Sequence, residues 1–149
     1  MVPVRGPADA QTRAPSADYS GVNPYANTGA YTESAVLTAP PGRLVVMLYD
    51  GAIRFLAQSS AAMRMGNRER SRDRMRRTEA ILDELLLTLD MSYGEIPLRL
   101  RSIYLFCKRE LHDANVNTEP ERLDGVGRLL ADLRESWDAL ASQDERKSA

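Results

Sequence analysis

Apolar side chains return at steps of three and four along most of this chain, and the every-second-residue alternation of a strand is missing. Such spacing stacks residues on one face of an α-helix. Leu44, Leu48, Gly51, Phe55, Ser59 and Ala62 form the first stripe, with Pro41 suited to the opening turn, where its missing N–H has no partner to lose. Gly66 and Asn67 in "RMGNRER" break the pattern as a turn. Met75, Thr78, Leu82, Leu85, Leu86 and Leu89 make the second stripe, which stops near "DMSYGE". The third consists of Ile96, Leu100, Ile103, Cys107, Leu111 and Ala114 and ends at "NVNTEPE". There Thr118 and Glu121 have the spacing of a capping box. The fourth, Leu123, Val126, Leu130, Leu133, Trp137 and Leu140, is a seam of period ~3.5. Four helices of about twenty residues with short connections make antiparallel neighbours. The expected fold is all-α, an antiparallel up-down four-helix bundle.

One stripe per helix satisfies one core, yet these helices carry more. In "LVVMLYDGAIRFL", Val46 and Ile53 sit seven residues apart and point roughly opposite Leu48 at ~100° per residue. Leu87 and Met91 fall outside the second stripe, and Leu98 and Leu105, again seven apart, point away from Ile96 and Cys107. Isolated exposed leucines are ordinary, but pairs repeated along several helices build contiguous patches of the kind that bind partners. A partner helix fits such grooves with anchors at i, i+3 or i+4, and i+7. The competing reading is a broad buried face within a small bundle. Gly51 turns toward the core, where a neighbouring helix benefits from its missing Cβ. Asp50, at the edge of that face, suits a surface charge or a bond to a neighbouring helix.

The stripes do not reach the ends. Residues 1–30 are rich in Pro, Gly, Ala, Ser and Asn, without period, and bury too little to offset their ordering entropy. They read as a disordered N-terminal arm, residues 31–142 as a cap segment and bundle, and residues 143–149 as a polar tail. The chain has 149 residues, enough for one domain with one core. A formal net charge of −1 argues against a protein held to nucleic acid by its overall charge. No apolar run approaches the ~18 residues of a membrane span, and the N-terminus lacks the apolar centre of a secretion signal. With Cys107 alone, neither an intrachain disulfide nor a multi-cysteine metal site can form. These features fit a soluble protein of a reducing cytoplasm.

Several motifs taken together resemble the flagellar secretion chaperone family, the flagellin-specific export chaperones. They are "VLTAPPGRLVVMLYDGAIRFL", "ILDELLLTLDMSYGEI", "ELHDAN" and "LLADLRESW", within a similarity running from Tyr31 to Ala139. The resemblance implies a helical bundle that holds the disordered C-terminal region of flagellin in outer hydrophobic grooves in the bacterial cytosol. It implies prevention of premature polymerisation and help with delivery to a component of the type III export gate. Client-facing residues are then Val46, Ile53, Leu87, Met91, Leu98 and Leu105. Tyr31 and Val36 match a family segment thought to cap part of the client surface. The chain departs from the family at "TAPPG", where Pro40 and Gly42 replace capping and acidic residues. It departs again at Pro97, usually alanine and tolerable only within the first turn of its helix, and at His112, usually aliphatic. A monomer is expected, or a homodimer without client.

Other classes fare less well. Di-metal sites in four-helix bundles need Glu-x-x-His on facing helices, whereas the single histidine, His112, has Arg109 three residues before it and reads as a surface residue. Cys107 lies on a core stripe without a positioned base. No catalytic turnover, metal or other cofactor is expected. Arg64 to Arg77 contains seven arginines against Glu69 and Asp73, a charge run able to meet phosphates, but it has no aromatic residue for stacking on bases. A regulatory adaptor that binds an anti-sigma factor or an export-gate component would use the same physics as a chaperone.

Overall fold

The computed structural model describes residues 41–148, so the arm and the cap residues Tyr31 and Val36 lie outside the described residues. Four helices follow one another: α1 (Pro41–Arg64), α2 (Arg68–Leu87), α3 (Glu95–Asn117) and α4 (Pro120–Ser148). A 3-10 turn, Met91–Tyr93, lies between α2 and α3. The described residues have the expected all-α architecture. Each helix packs against the next, and α4 closes the ring on α1. Cross-links fix the antiparallel sense. Arg43 near the start of α1 bonds Asp138 of α4 at 2.6 Å, whereas Arg64 at the end of α1 bonds Asp124 of α4 at 2.8 Å. Lys108 of α3 meets Asp83 of α2 at 2.6 Å.

The turns follow from local chemistry. Gly66 takes φ +80°, a left-handed conformation that costs glycine little, and Asn67 caps α2 by accepting the Arg70 N–H. Thr118 and Glu121 do not form the capping box. Thr118 ends α3 at φ 55°, the Glu119 N–H bonds back to the Ala114 carbonyl at 3.0 Å, and Pro120 opens α4 in the position proline favours. Pro97 is buried in the first turn of α3, where no intrahelical N–H is forfeited. α4 continues as helix through the polar residues after 142 to Ser148, with residues 143–147 exposed.

The core is one cluster to which all four helices contribute, including Leu48, Phe55, Leu82, Leu85, Leu111, Leu123 and Leu130. The helices do not share it equally. α1 packs along α2 and α4 far more extensively than α3 packs on either neighbour. On α1 the exposed residues after the first two turns are Asp50, Arg54, Ala57, Ala61 and Arg64, a narrow stripe at helical spacing. Small residues permit the close approach of α1 to α2. Ile81 Cδ1 lies 3.2 Å from where a Cβ on Gly51 would stand, and this packing offsets the ~1 kcal/mol that a helical glycine costs relative to alanine. Buried Ser59 donates to the Ser71 carbonyl across the same interface at 2.8 Å. Asp50 accepts a bond from Arg134 of α4 at 2.6 Å.

Across the diagonal of the ring, α1 and α3 meet through long side chains. The hydroxyls of Tyr49 and Tyr104 lie 2.6 Å apart, both buried, with their rings edge to face. A buried hydroxyl without a partner costs about 1–3 kcal/mol, so each tyrosine supports the other.

Candidate binding surface

The ends of α1, α2 and α3 leave an apolar cleft of about 690 Å³ at one end of the bundle. Gly42, Leu44, Val45 and Leu48 line one wall, Leu89, Tyr93, Ile96, Pro97 and Leu100 another, and Trp137 of α4 contributes to its lining. The turn that builds the outer wall is held by its own polar groups. Thr88 at the end of α2 donates its hydroxyl to the Leu85 carbonyl at 2.7 Å. The Asp90 carboxylate accepts both the Ser92 N–H at 3.0 Å and the Ser92 hydroxyl at 2.6 Å, and these bonds hold it below the usual carboxylate range. Gly94, at φ 90°, turns the chain into α3. With the turn thus fixed, Tyr93 is 78% exposed and Ile96 70% exposed, although both line the cleft. Glu84 and Asp90 are the carboxylates in its lining.

The residues assigned to outer grooves divide into two groups. Val46 is 1% exposed, and its expected outward position is corrected: α1 is enclosed by two extensive neighbours, so a second apolar stripe there serves the fold. Ile53 is half-buried, with part of its side chain packed against the core cluster. Leu87 and Leu98 are exposed at 78% and 53%, and Leu105, seven residues after Leu98 on α3, is half-buried. Met91 is exposed too, but on the 3-10 turn and not on α2, which ends at Leu87. Two residues assigned to core stripes are exposed, Ile96 and Leu140. In their place Pro97 and Tyr104 are buried on α3 and Ala141 on α4. Tyr93 before Gly94 in "SYGEI" was the signal for the cleft, because an apolar residue in a turn has no helix face to serve; Ile96 was masked by its place at the start of a helical stripe.

The titratable groups offer little for catalysis. Among the described residues no cluster of His, Cys, Asp and Glu is arranged to hold a metal ion. His112 is exposed on α3. Cys107 is fully buried, and that burial pushes its thiol up to about 12, so it stays protonated at neutral pH. No described helix is long and apolar enough to cross a membrane.

Cys107 makes stability depend on alkali. In the unfolded chain its thiol ionises near the ordinary value of 9.0, but in the fold only at about 12. Between these values the unfolded state binds fewer protons, so stability that is fully present below about pH 9 falls as pH rises. Burial raises Tyr49 and Tyr104 as well, which extends the loss above their ordinary 10.0. The melting temperature should therefore hold steady up to about pH 9 and then drop. Cys107→Ala should flatten the first part of that drop, and a profile identical to that of the parent chain would refute the assignment.

The family profile described as flagellar protein FliS matches residues 22–144. The flagellar secretion chaperone FliS of Bacillus subtilis is 32% identical over 125 residues, covering 84% of this chain and 90% of that protein. The protein of the same description from Vibrio cholerae is 31% identical over 109 residues, covering 72% and 80%. That from Salmonella typhimurium is 30% identical over 124 residues, covering 82% and 90%.

Proposed function

This chain belongs to the FliS family of flagellar secretion chaperones, and from that premise we propose that it binds the disordered C-terminal region of flagellin in the bacterial cytosol. The observation that carries the reading is the apolar cleft beside α1, α2 and α3, with exposed Tyr93 and Ile96 on its wall. Leu87, Met91, Leu98 and Leu105 extend the client surface, and Tyr31 and Val36 form a cap over part of it. Binding keeps the client from polymerising before export and presents it to the export gate.

The energetics follow from burial. Each Å² of apolar client surface removed from water contributes about 25 cal/mol, against which stands the cost of ordering a flexible segment. A client that folds as it binds keeps only part of the gross gain, which suits a chaperone that must later release it. Glu84 and Asp90 in the cleft lining act on specificity and association rate more than on affinity. No step of this function calls for turnover or a cofactor.

The test is direct. Mixed with the C-terminal region of its own organism's flagellin, the full chain should elute as a one-to-one complex in size exclusion, while the flagellin region without its disordered C-terminus should elute separately. Separate elution of the complete C-terminal region would refute the flagellin reading.

A further inference from the structure

A second surface lies toward the opposite end of the α2–α3 interface from the cleft, and its chemistry is different. Arg64 to Arg77 carries seven arginines and two acidic residues, an excess of five positive charges. Some of these are neutralised in place. Arg64 pairs with Asp124, and Arg74 and Arg77 share Asp73. Arg68 and Arg72 instead reach across to α3 and donate to neutral acceptors. Arg68 bonds the Asn115 carbonyl at 2.8 Å and the Thr118 hydroxyl at 2.6 Å, and the Arg72 Nε bonds the Asn115 side-chain oxygen at 3.3 Å. Arg76 approaches only Asp73, at 3.8 Å, a carboxylate already held by two closer arginines. Arg72 is thereby anchored on a neutral acceptor of α3 and not on a carboxylate.

Beneath these groups is a small open groove of about 160 Å³, lined by Arg72, Met75, Arg76, Glu79, Leu111, His112 and Asn115. Met75 and Leu111 close its base as buried members of the core, at 5% and 2% exposed. We propose that this groove docks an acidic segment of a partner polypeptide. A glutamate of that segment directs its carboxylate to the exposed guanidinium groups of Arg72 and Arg76. A planar guanidinium suits a carboxylate because it offers parallel N–H donors.

Charge complementarity selects the occupant, and the interruptions exclude a polyphosphate track. Glu69 and Asp73 interrupt the arginines, Glu79 follows them, and the run has no aromatic residue on which a base could stack. A single carboxylate finds room between those acids where a continuous phosphate backbone is repelled. The site does not depend on flagellin binding and is tested without it.

The probe is a fluorescein-labelled synthetic helix-forming peptide with glutamate at every fourth position and leucine between. Its counterpart with lysine in place of glutamate and a short mixed-sequence DNA duplex are the comparisons. At low salt the full chain should bind the glutamate peptide saturably and more tightly than either. R72E combined with R76E should weaken binding at least tenfold with unchanged melting, whereas R101E, a reversal at an exposed arginine elsewhere on α3, should not. If the double reversal disturbs folding, Arg72→Ala with Arg76→Ala gives the same readout. Failure to bind the glutamate peptide, equal binding by parent and double variant, or tighter binding of DNA would overturn the proposal.

Discussion

Leu82→Asp should abolish cooperative thermal unfolding of this bundle. Leu82 is fully buried in the core cluster. Truncating a buried leucine costs about 2–5 kcal/mol through lost transfer energy and the cavity left behind. An unpaired carboxylate at the same site adds several kcal/mol more, or takes up a proton to avoid them. The sum is comparable with the ~5–15 kcal/mol by which a domain of this kind is stable. Circular dichroism should show no sharp transition at neutral pH. Val46→Asp should behave alike, because that side chain is 1% exposed. Leu98→Asp, on a side chain that is 53% exposed, should leave the melting curve within a few degrees of the parent. A parent-like transition for Val46→Asp would return that residue to the outer surface.

The second large effect concerns the cleft. Ile96→Asp should leave melting nearly unchanged, since Ile96 is 70% exposed, yet weaken binding of the flagellin C-terminal region about 100-fold. Losing one buried aliphatic anchor removes about 1.5–3 kcal/mol, and covering a carboxylate with an apolar client adds to it. Glu84 and Asp90 stand in the same lining, so a third carboxylate there also meets like charge. Titration calorimetry of Ile96→Asp and Leu98→Asp in parallel separates two client paths. A large loss for Leu98→Asp with parent-like affinity for Ile96→Asp would move the client to the outer face of α3 and leave the cleft without its proposed role.

Periodicity alone sufficed for four helices, because a repeat of three and four fits no other regular structure and the turns at Gly66 and near Gly94 interrupt it where the chain reverses. The motifs were specific enough to place the chain in its family. Assigning faces was harder. A helical wheel gives the angle between two side chains on one helix but not how much of that helix its neighbours cover. On α1 two neighbours cover nearly everything, so Val46 is inside although it opposes Leu48. On α3 the packing is sparser and the helix begins at Glu95, so Ile96 protrudes at the end of a stripe that is otherwise buried. Tyr104 was passed over because its role depends on reaching Tyr49 across the ring, a pairing of residues far apart in the chain.

Local order was thus written into the spacing of residues: the helices of the described bundle, the turns at Gly66 and Gly94, and the surplus of apolar side chains beyond a single stripe per helix. Which of that surplus is interior and which faces outward was decided by the unequal packing of α1 and α3, and the cleft and the arginine groove arise where helices distant in sequence end or cross. Burial depends on what lies on the far side of a residue, and only the assembled bundle supplies that neighbour.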